Sequence, residues 1–408
     1  MTPAASRTAW LIVALLWPVA LLNYLDRQML ATMKSSMVGD ITGITSDAQW
    51  GFVLASFKWV YAVLSPIGGY IADRFSRRHV IAVSLFTWSV VTWLTGHVTT
   101  YNELVASRAL MGISEAFYIP AALALISDFH LGPTRSRAIG LHQTGIYIGL
   151  IIGGFAGYAA DSPTHGWRWA FSAAGLVGVI YAFPLFRYLK NPPRGVEDTS
   201  RSLTPARATG ELFSNRNFLL LVLYFTLPAI AGWVIKDWMP VILKEQFKLS
   251  QGRAGVIAVL YVQIATICGA LAGGLLADWW MRRNERGRIY VSAIGMTLFL
   301  PALFGLGNPG TIGFAILFLI LFGIGWGFFD CNNMPILCQI TRPELRATGY
   351  GVMNLVSISC GGFGDWGFGV LKSQGVPLTL IFGCFTGVAL LSLVIVLLIR
   401  PAREQSSK

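Results

Sequence analysis

The sequence predicts an all-α membrane protein with twelve transmembrane helices in two pseudo-symmetric six-helix bundles. Three observations predict it. Hydrophobic residues make up 54% of the 408 residues and charged ones only 12%, where a soluble domain carries roughly 25% charged residues. Apolar runs of about 20 residues, long enough to cross a bilayer, recur twelve times. Finally, the halves repeat. Gly69-Tyr-Ile-Ala-Asp73-Arg74-Phe-Ser-Arg77-Arg78 follows the second run, and Gly274-Leu-Leu-Ala-Asp278-Trp-Trp-Met-Arg282-Arg283 follows the eighth, 205 residues later. Tandem units of like orientation point to a transporter with its site between the repeats.

In chain order the first run, 9–33, carries Asp26 and Arg27 side by side, and buried membrane charges normally face a bundle interior and have partners. The second run, 48–72, carries Lys58 and Tyr61 one turn apart on one face. After 79–98 comes 102–127, with Arg108 and Glu115 two turns apart, about 10 Å along one face. The fifth run, 135–160, opens with Arg137-Ala-Ile-Gly, carries His142 and Gln143, and has Gly145, Gly149, Gly153 and Gly157 at every fourth position. Such small-residue stripes allow close helix contact. Run 168–189 closes the first half. The second half has 217–243 with Lys236-Asp237, 251–280 with the stripe Ala265, Gly269, Gly273, then 288–306 and 310–335 with Asp330. Run 345–371 opens with Arg346-Ala-Thr-Gly and carries Asn354, Asp365 and a glycine-dense stretch that would soften a helix. Run 377–399 is last. The predicted domains are therefore an N-terminal bundle 1–190, a linker 191–216 rich in Pro, Ser, Thr and mixed charge, a C-terminal bundle 217–400 and a tail 401–408.

Lys and Arg set the orientation. With both termini on one side, that side collects 21 of the 31 basic residues and the other side six, while Arg27, Lys58, Arg108 and Lys236 fall inside helices. Both termini are expected to be cytoplasmic. The net charge of +12 is spread over short loops, unlike a nucleic-acid-binding face. No removable signal is read at the N-terminus. The five cysteines lie in apolar runs at irregular spacing, so they read as reduced small hydrophobes, with no metal site expected. No phosphate loop or nucleophile elbow is found. The expected protein is not an enzyme, has no cofactor, and uses a proton as its coupling ion.

The Gly-x-x-x-Asp-Arg-x-x-Arg-Arg loop, its weaker second copy and the two-times-six layout resemble the major facilitator superfamily, over essentially the whole chain. Ser76 stands where that motif usually has Gly. Within the superfamily, Asn23-Tyr-Leu-Asp26-Arg27, Arg108 and Gly112-Ile-Ser-Glu115-Ala resemble the anion:cation symporters, which include sugar-acid and hexuronate permeases and sialic-acid carriers. Spinster-type lipid carriers share much of the pattern and come second. The resemblance implies that helices one, four, seven and ten line a central cavity, and that the Asp73, Arg74, Arg77 loop, with Asp278 in its second copy, forms gating ion pairs. It also pairs helices five and eight, so the glycine stripes are expected at a rocking interface.

On that basis Asp26, Arg27, Arg108 and Glu115 form one polar cluster. Arg27 would hold a substrate carboxylate, with Asp26 and Glu115 carrying the proton; alternatively the four are a static ion-pair network. Lys58, about 15 Å deep, is expected as a second cation with Tyr61 donating to a substrate hydroxyl. Lys236 either extends the anion site or pairs locally with Asp237 in the aromatic belt. Gln143 and Asn354 are expected to read substrate hydroxyls, and Asp330 to be a gate or a second proton site, or else to pair with a loop arginine. Four internal cations against few firm acids favour an anionic substrate. The expected function is proton-coupled symport of a small organic anion, most of all a sugar acid, by a monomer in the bacterial inner membrane. The alternative is a spinster-like carrier of a lysolipid or other amphiphile.

Overall fold

The computed structural model describes residues 3–130, 134–191, 205–342 and 345–400. The described chain is helical almost throughout, as lipid requires: with no water to satisfy peptide groups, each span must pair them internally. The twelve expected helices are all there. The first six spans are α1 (Pro3–Thr32), continued by the short α2 (Lys34–Asp40), then α3 (Asp47–Arg74), α4 (Arg77–Thr95), the broken fourth span α5 (Tyr101–Glu115) and α6 (Tyr118–Phe129), α7 (Arg135–Asp161) and α8 (Gly166–Tyr188). A linker helix α9 (Pro205–Ser214) precedes α10 (Arg216–Phe247), α11 (Gln251–Met281), α12 (Gly287–Leu306), α13 (Ile312–Ile340), α14 (Arg346–Ser373) and α15 (Leu378–Leu398). The rest of the expected linker, 192–204, and the tail 401–408 lie outside the described residues.

Local sequence sets the ends. Ser46 and Gln49 form a capping box that starts α3, and Thr100 and Glu103 form another that starts α5. The expected single helix 102–127 is interrupted after Glu115. Pro120 has no N–H to offer the Ala116 carbonyl, and its ring crowds that turn. The Ser84 hydroxyl donates to the Ser114 carbonyl beside the break. Glu115 thus becomes the last residue of α5, at the negative end of that helix's dipole, where a carboxylate needs a cation.

By packing, the chain falls into two compact units. Unit 1 comprises Met1–Glu197, Ile235–Val259 and Asp365–Val370, and unit 2 comprises Asp198–Val234, Leu260–Gly364 and Leu371–Lys408. In unit 1 the most extensive helix contact is α1 on α7. Most of the stripe expected at a rocking interface faces α1: a Cβ on Gly145 would lie 2.7 Å from the Trp17 carbonyl oxygen, and one on Gly153 would lie 2.7 Å from that of Leu25. Gly157, the last of the stripe, and Gly154 beside it meet the start of α11, the expected pairing of the fifth and eighth spans. In unit 2 the second stripe lies on α13, with Gly269 against Ile324 and Gly273 against Phe328. Both stripes therefore serve mainly to fasten a helix to a neighbour of its own unit.

Candidate functional site

Arg27 sits on α1 one turn beyond Asn23. Its Nε donates to Glu115 Oε2 at 2.7 Å, its Nη2 lies 2.5 Å from the same oxygen, and Nη2 also donates to Asn23 Oδ1 at 3.2 Å. Both partners are buried, Arg27 at 9% exposure and Glu115 at 0%. The guanidinium lies over three aromatic rings, with centroids at 4.7 Å for Tyr24, 4.6 Å for Phe57 and 5.0 Å for Tyr61. Ring faces and one carboxylate oxygen replace the water the cation has lost. The expected union of Arg27 with Glu115 is thus present as a direct ion pair.

Arg108 lies over the same ring. Its guanidinium carbon is also 4.6 Å from the Phe57 centroid. Gly112, one turn along α5, lets this happen, because a Cβ there would lie 2.7 Å from the Phe57 carbonyl oxygen. Arg108 Nη1 meets Met111 Sδ at 2.8 Å, and its Nε is buried with no hydrogen-bond partner. Asp26 points elsewhere: its Oδ2 accepts from Thr92 Oγ1 on α4 at 3.0 Å, while its Oδ1 is unpartnered. Glu115 Oε1 and Asn23 Nδ2 are unpartnered as well. Unmatched buried polar atoms are costly and uncommon. Here three of them, Arg108 Nε, Glu115 Oε1 and Asn23 Nδ2, belong to the two guanidinium groups or their immediate partners, an arrangement suited to receiving a proton, water or a polar ligand.

Lys58 forms a second cluster. Its Nζ donates to Asp237 Oδ2 at 2.5 Å and, more closely still, to Asp365 Oδ2. All three are buried. Tyr61, expected to work with Lys58, stacks instead on Phe57 at 5.7 Å and faces Arg27. The expected surplus of internal cations is therefore reduced: Arg27 and Lys58 between them hold three carboxylates. Lys236 is half-buried with its ammonium 5.2 Å from the Tyr24 centroid, and its carbonyl accepts from Gln28 Nε2 at 3.4 Å. Nearby, Lys34 pairs with Asp47 and lies 4.4 Å from the Trp238 ring centroid.

Gln143 is half-buried on α7 beside His142, whose Nε2 is 2.8 Å from the Tyr118 hydroxyl. Asn354, half-buried, and Asp278 and Asp330, both exposed, belong to unit 2 and are not among the residues gathered around Arg27. Of the expected gating loop, Arg77 pairs with Asp128 at the end of α6, Arg74 is exposed, and the Asp73 side chain lies outside the described residues. Phe57 and Thr92 were not singled out by sequence, and Asp365 stood only within a glycine-rich stretch. Phe57 had one available signal: it lies one turn before Tyr61 on the same helix face.

The family model for the Major Facilitator Superfamily matches residues 16–364. Human protein spinster homolog 1 is 30% identical over 363 residues, which is 83% of this chain and 68% of that protein. The chain belongs to the major facilitator superfamily, and within it to the spinster family. Protein spinster of Drosophila melanogaster is 27% identical over 378 residues, and this chain spans 61% of its length. The spinster-family chain matches the fold of a bacterial homolog of the human lysosomal transporter spinster, solved inward-facing and unoccupied, with TM-score 0.78, 20% identity and coverage of 98% and 95%. A D-xylose–proton symporter follows at TM-score 0.75, 16% identity and coverage of 96% and 98%. At such identities the likeness is one of fold. This spinster-family protein is a multi-pass membrane transporter and not an enzyme.

Proposed function

We propose that the protein is a proton-coupled secondary transporter of an organic anion, working by alternating access as a monomer, with no cofactor beyond the proton. One observation carries this reading: the buried Arg27–Glu115 pair leaves Glu115 Oε1 open beside a second guanidinium, Arg108. A proton on Glu115 removes the charge that holds Arg27. Arg27 and Arg108, which both lie over Phe57, then present two guanidinium groups to one acidic group, which such forks bind well. Loss of the proton restores the ion pair and expels the anion. Asp26, held by Thr92, is the second proton carrier. Tyr61 and Lys236 border the same place, and Gln143 and Asn354 complete the proposed substrate set. Lys58 contributes less than its charge suggests, since two carboxylates already occupy it. The direction is import across the bacterial inner membrane, with the termini cytoplasmic and Asp73, Arg74, Arg77 and Asp278 serving as gates.

A sugar acid is the first substrate class to test. A second reading, an acidic amphiphile such as a lysolipid, is favoured by the surroundings of the cations: Phe57, Tyr24, Tyr61 and Met111 put apolar surface directly beside the acid-binding groups. The deciding experiment is uptake into proteoliposomes under an inward proton gradient, with glucuronate and a lysophospholipid as arms. Uptake of one of them that collapses with the gradient supports the reading. Uptake of either that is indifferent to the gradient overturns the proton coupling. Normal uptake by Arg108→Ala overturns the anion site.

A further inference from the structure

Three neighbouring residues of α1 are tied to side chains of three other helices of unit 1. The Leu15 carbonyl accepts from the Tyr181 hydroxyl of α8 at 2.9 Å, and the Leu16 carbonyl from the Tyr118 hydroxyl of α6 at 3.0 Å. Trp17 Nε1 donates to Thr144 Oγ1 of α7 at 3.0 Å. The middle tie is doubled. His142 Nε2, also of α7, lies 2.8 Å from the same Tyr118 oxygen, and both residues are fully buried. Counting protons fixes the roles. A carbonyl can only accept, so the one phenolic proton goes to Leu16, and the imidazole must donate through its Nε2–H. Nδ1 is then the bare nitrogen, buried without a hydrogen-bond partner. A proton arriving there would find no acceptor. Trp88 of α4 closes the other side of Tyr118, edge to face with ring centroids 5.4 Å apart.

Tyr118 stands where the helix cannot hold itself. It is the first residue of α6, three residues past Glu115 at the end of α5, and the joint between them lacks the hydrogen bond that Pro120 cannot give. Helix α1 runs past both sides of that joint. Its Leu16 carbonyl holds Tyr118 on the α6 side, and its Arg27, about 16 Å further along the axis, holds Glu115 on the α5 side. We propose that His142 is a positioning residue: as a fixed Nε2–H donor it keeps the Tyr118 hydroxyl on the Leu16 carbonyl, and this tie of α1, α6 and α7 sets the α5–α6 angle and so the seating of Glu115 against Arg27. Without the tie, the break after Glu115 is a free hinge. With it, Glu115 keeps Oε2 on Arg27 and leaves Oε1 open. The bearing of the tie on transport rests on the reading of Glu115 as a proton carrier; the tie itself does not.

The test is a set of double-substitution cycles, read as thermal midpoints of the full chain in detergent with no substrate present. Glu115→Gln is made in the parent and in the Tyr118→Phe, His142→Leu and His142→Gln backgrounds. Substitutions at independent sites add, whereas those in one network do not. The fall in midpoint caused by Glu115→Gln is expected to shrink to about half or less in His142→Leu and in Tyr118→Phe, because the pair it breaks is already misplaced. In His142→Gln the fall is expected to return to that of the parent, since the new amide offers a donor near the place of Nε2 and cannot carry a proton. Arg168→Ala, which cuts ties to Asp40 and Val98 near the start of α8, is expected to cost the same in every background. An equal fall from Glu115→Gln in all backgrounds overturns the positioning role. So does a His142→Gln protein that behaves like His142→Leu, or an Arg168→Ala loss that shrinks along with that of Glu115→Gln. His142→Leu and Tyr118→Phe each suffice if the other does not fold. Neither a substrate nor a gradient enters, so a failed transport reading leaves these outcomes unchanged.

Discussion

Arg27 and Lys58 are both buried membrane cations, yet they are partnered on opposite plans. Arg27 shares one oxygen of one carboxylate and lies on three aromatic faces, all supplied by residues before 116. Lys58 holds two carboxylates, both from late segments of the chain. A motion that carries the late segments away leaves the Arg27 cluster whole and breaks the Lys58 cluster. The same chemistry thus suits two tasks: a self-contained cluster can keep its binding geometry through a transport cycle, whereas a cluster assembled across segments responds to their position.

The largest effect is expected at Glu115. Glu115→Gln leaves Arg27 buried without its counter-charge, a loss of about 3–5 kcal/mol. Gradient-driven uptake should vanish, and the thermal midpoint in detergent should fall more than for any substitution at Asp365, where Lys58 keeps a second acid. Phe57→Leu comes next. It retains bulk but removes the face shared by Arg27 and Arg108, and two such contacts at ~0.5–2 kcal/mol each should raise KM for the transported anion at least tenfold with a smaller change in kcat. A KM left unchanged would separate Arg108 from binding. Gly51→Ala should disturb only the Lys58 side, because the new methyl meets the Asp365 carbonyl oxygen. Overpacking of this kind costs about 1–3 kcal/mol, and the thermal midpoint in detergent should fall accordingly. Gly367→Ala on α14, which meets open space, is the silent control. The smallest effect is expected from Glu211→Ala, which removes the exposed Arg342–Glu211 pair at 61% and 41% side-chain exposure. Surface pairs contribute at most ~1 kcal/mol, so a melting shift there as large as that of Glu115→Gln would undo the distinction between buried and exposed pairs.

The spans were legible because a bilayer imposes one length and one polarity on every crossing, and Arg27, Arg108 and Glu115 stood out because charges in such runs are rare. The pairing of Arg27 with Glu115 was also within reach, since their depths along α1 and α5 matched. Phe57 was not, as a phenylalanine in an apolar helix gives no sign that two guanidinium groups lie over its ring. Asp237 pointed to a local partner, Lys236, its neighbour in sequence. Its Oδ2 accepts from Lys58, 179 residues away, which nothing in the local sequence announces. The glycine stripe on α7 announced close contact but not with which helix, because any backbone can fill the space a missing Cβ leaves.

Composition and periodicity alone therefore determined that this chain is a twelve-span membrane protein with buried charge in its first half, for lipid penalises every other arrangement of such a sequence. Which charges meet was decided by tertiary structure. Burial makes each cation take whatever carboxylate packing brings within reach, and that depends on the angles and kinks of helices far apart in sequence: the break that Pro120 puts after Glu115, the approach that Gly112 allows, and the docking of Asp237 and Asp365 on Lys58.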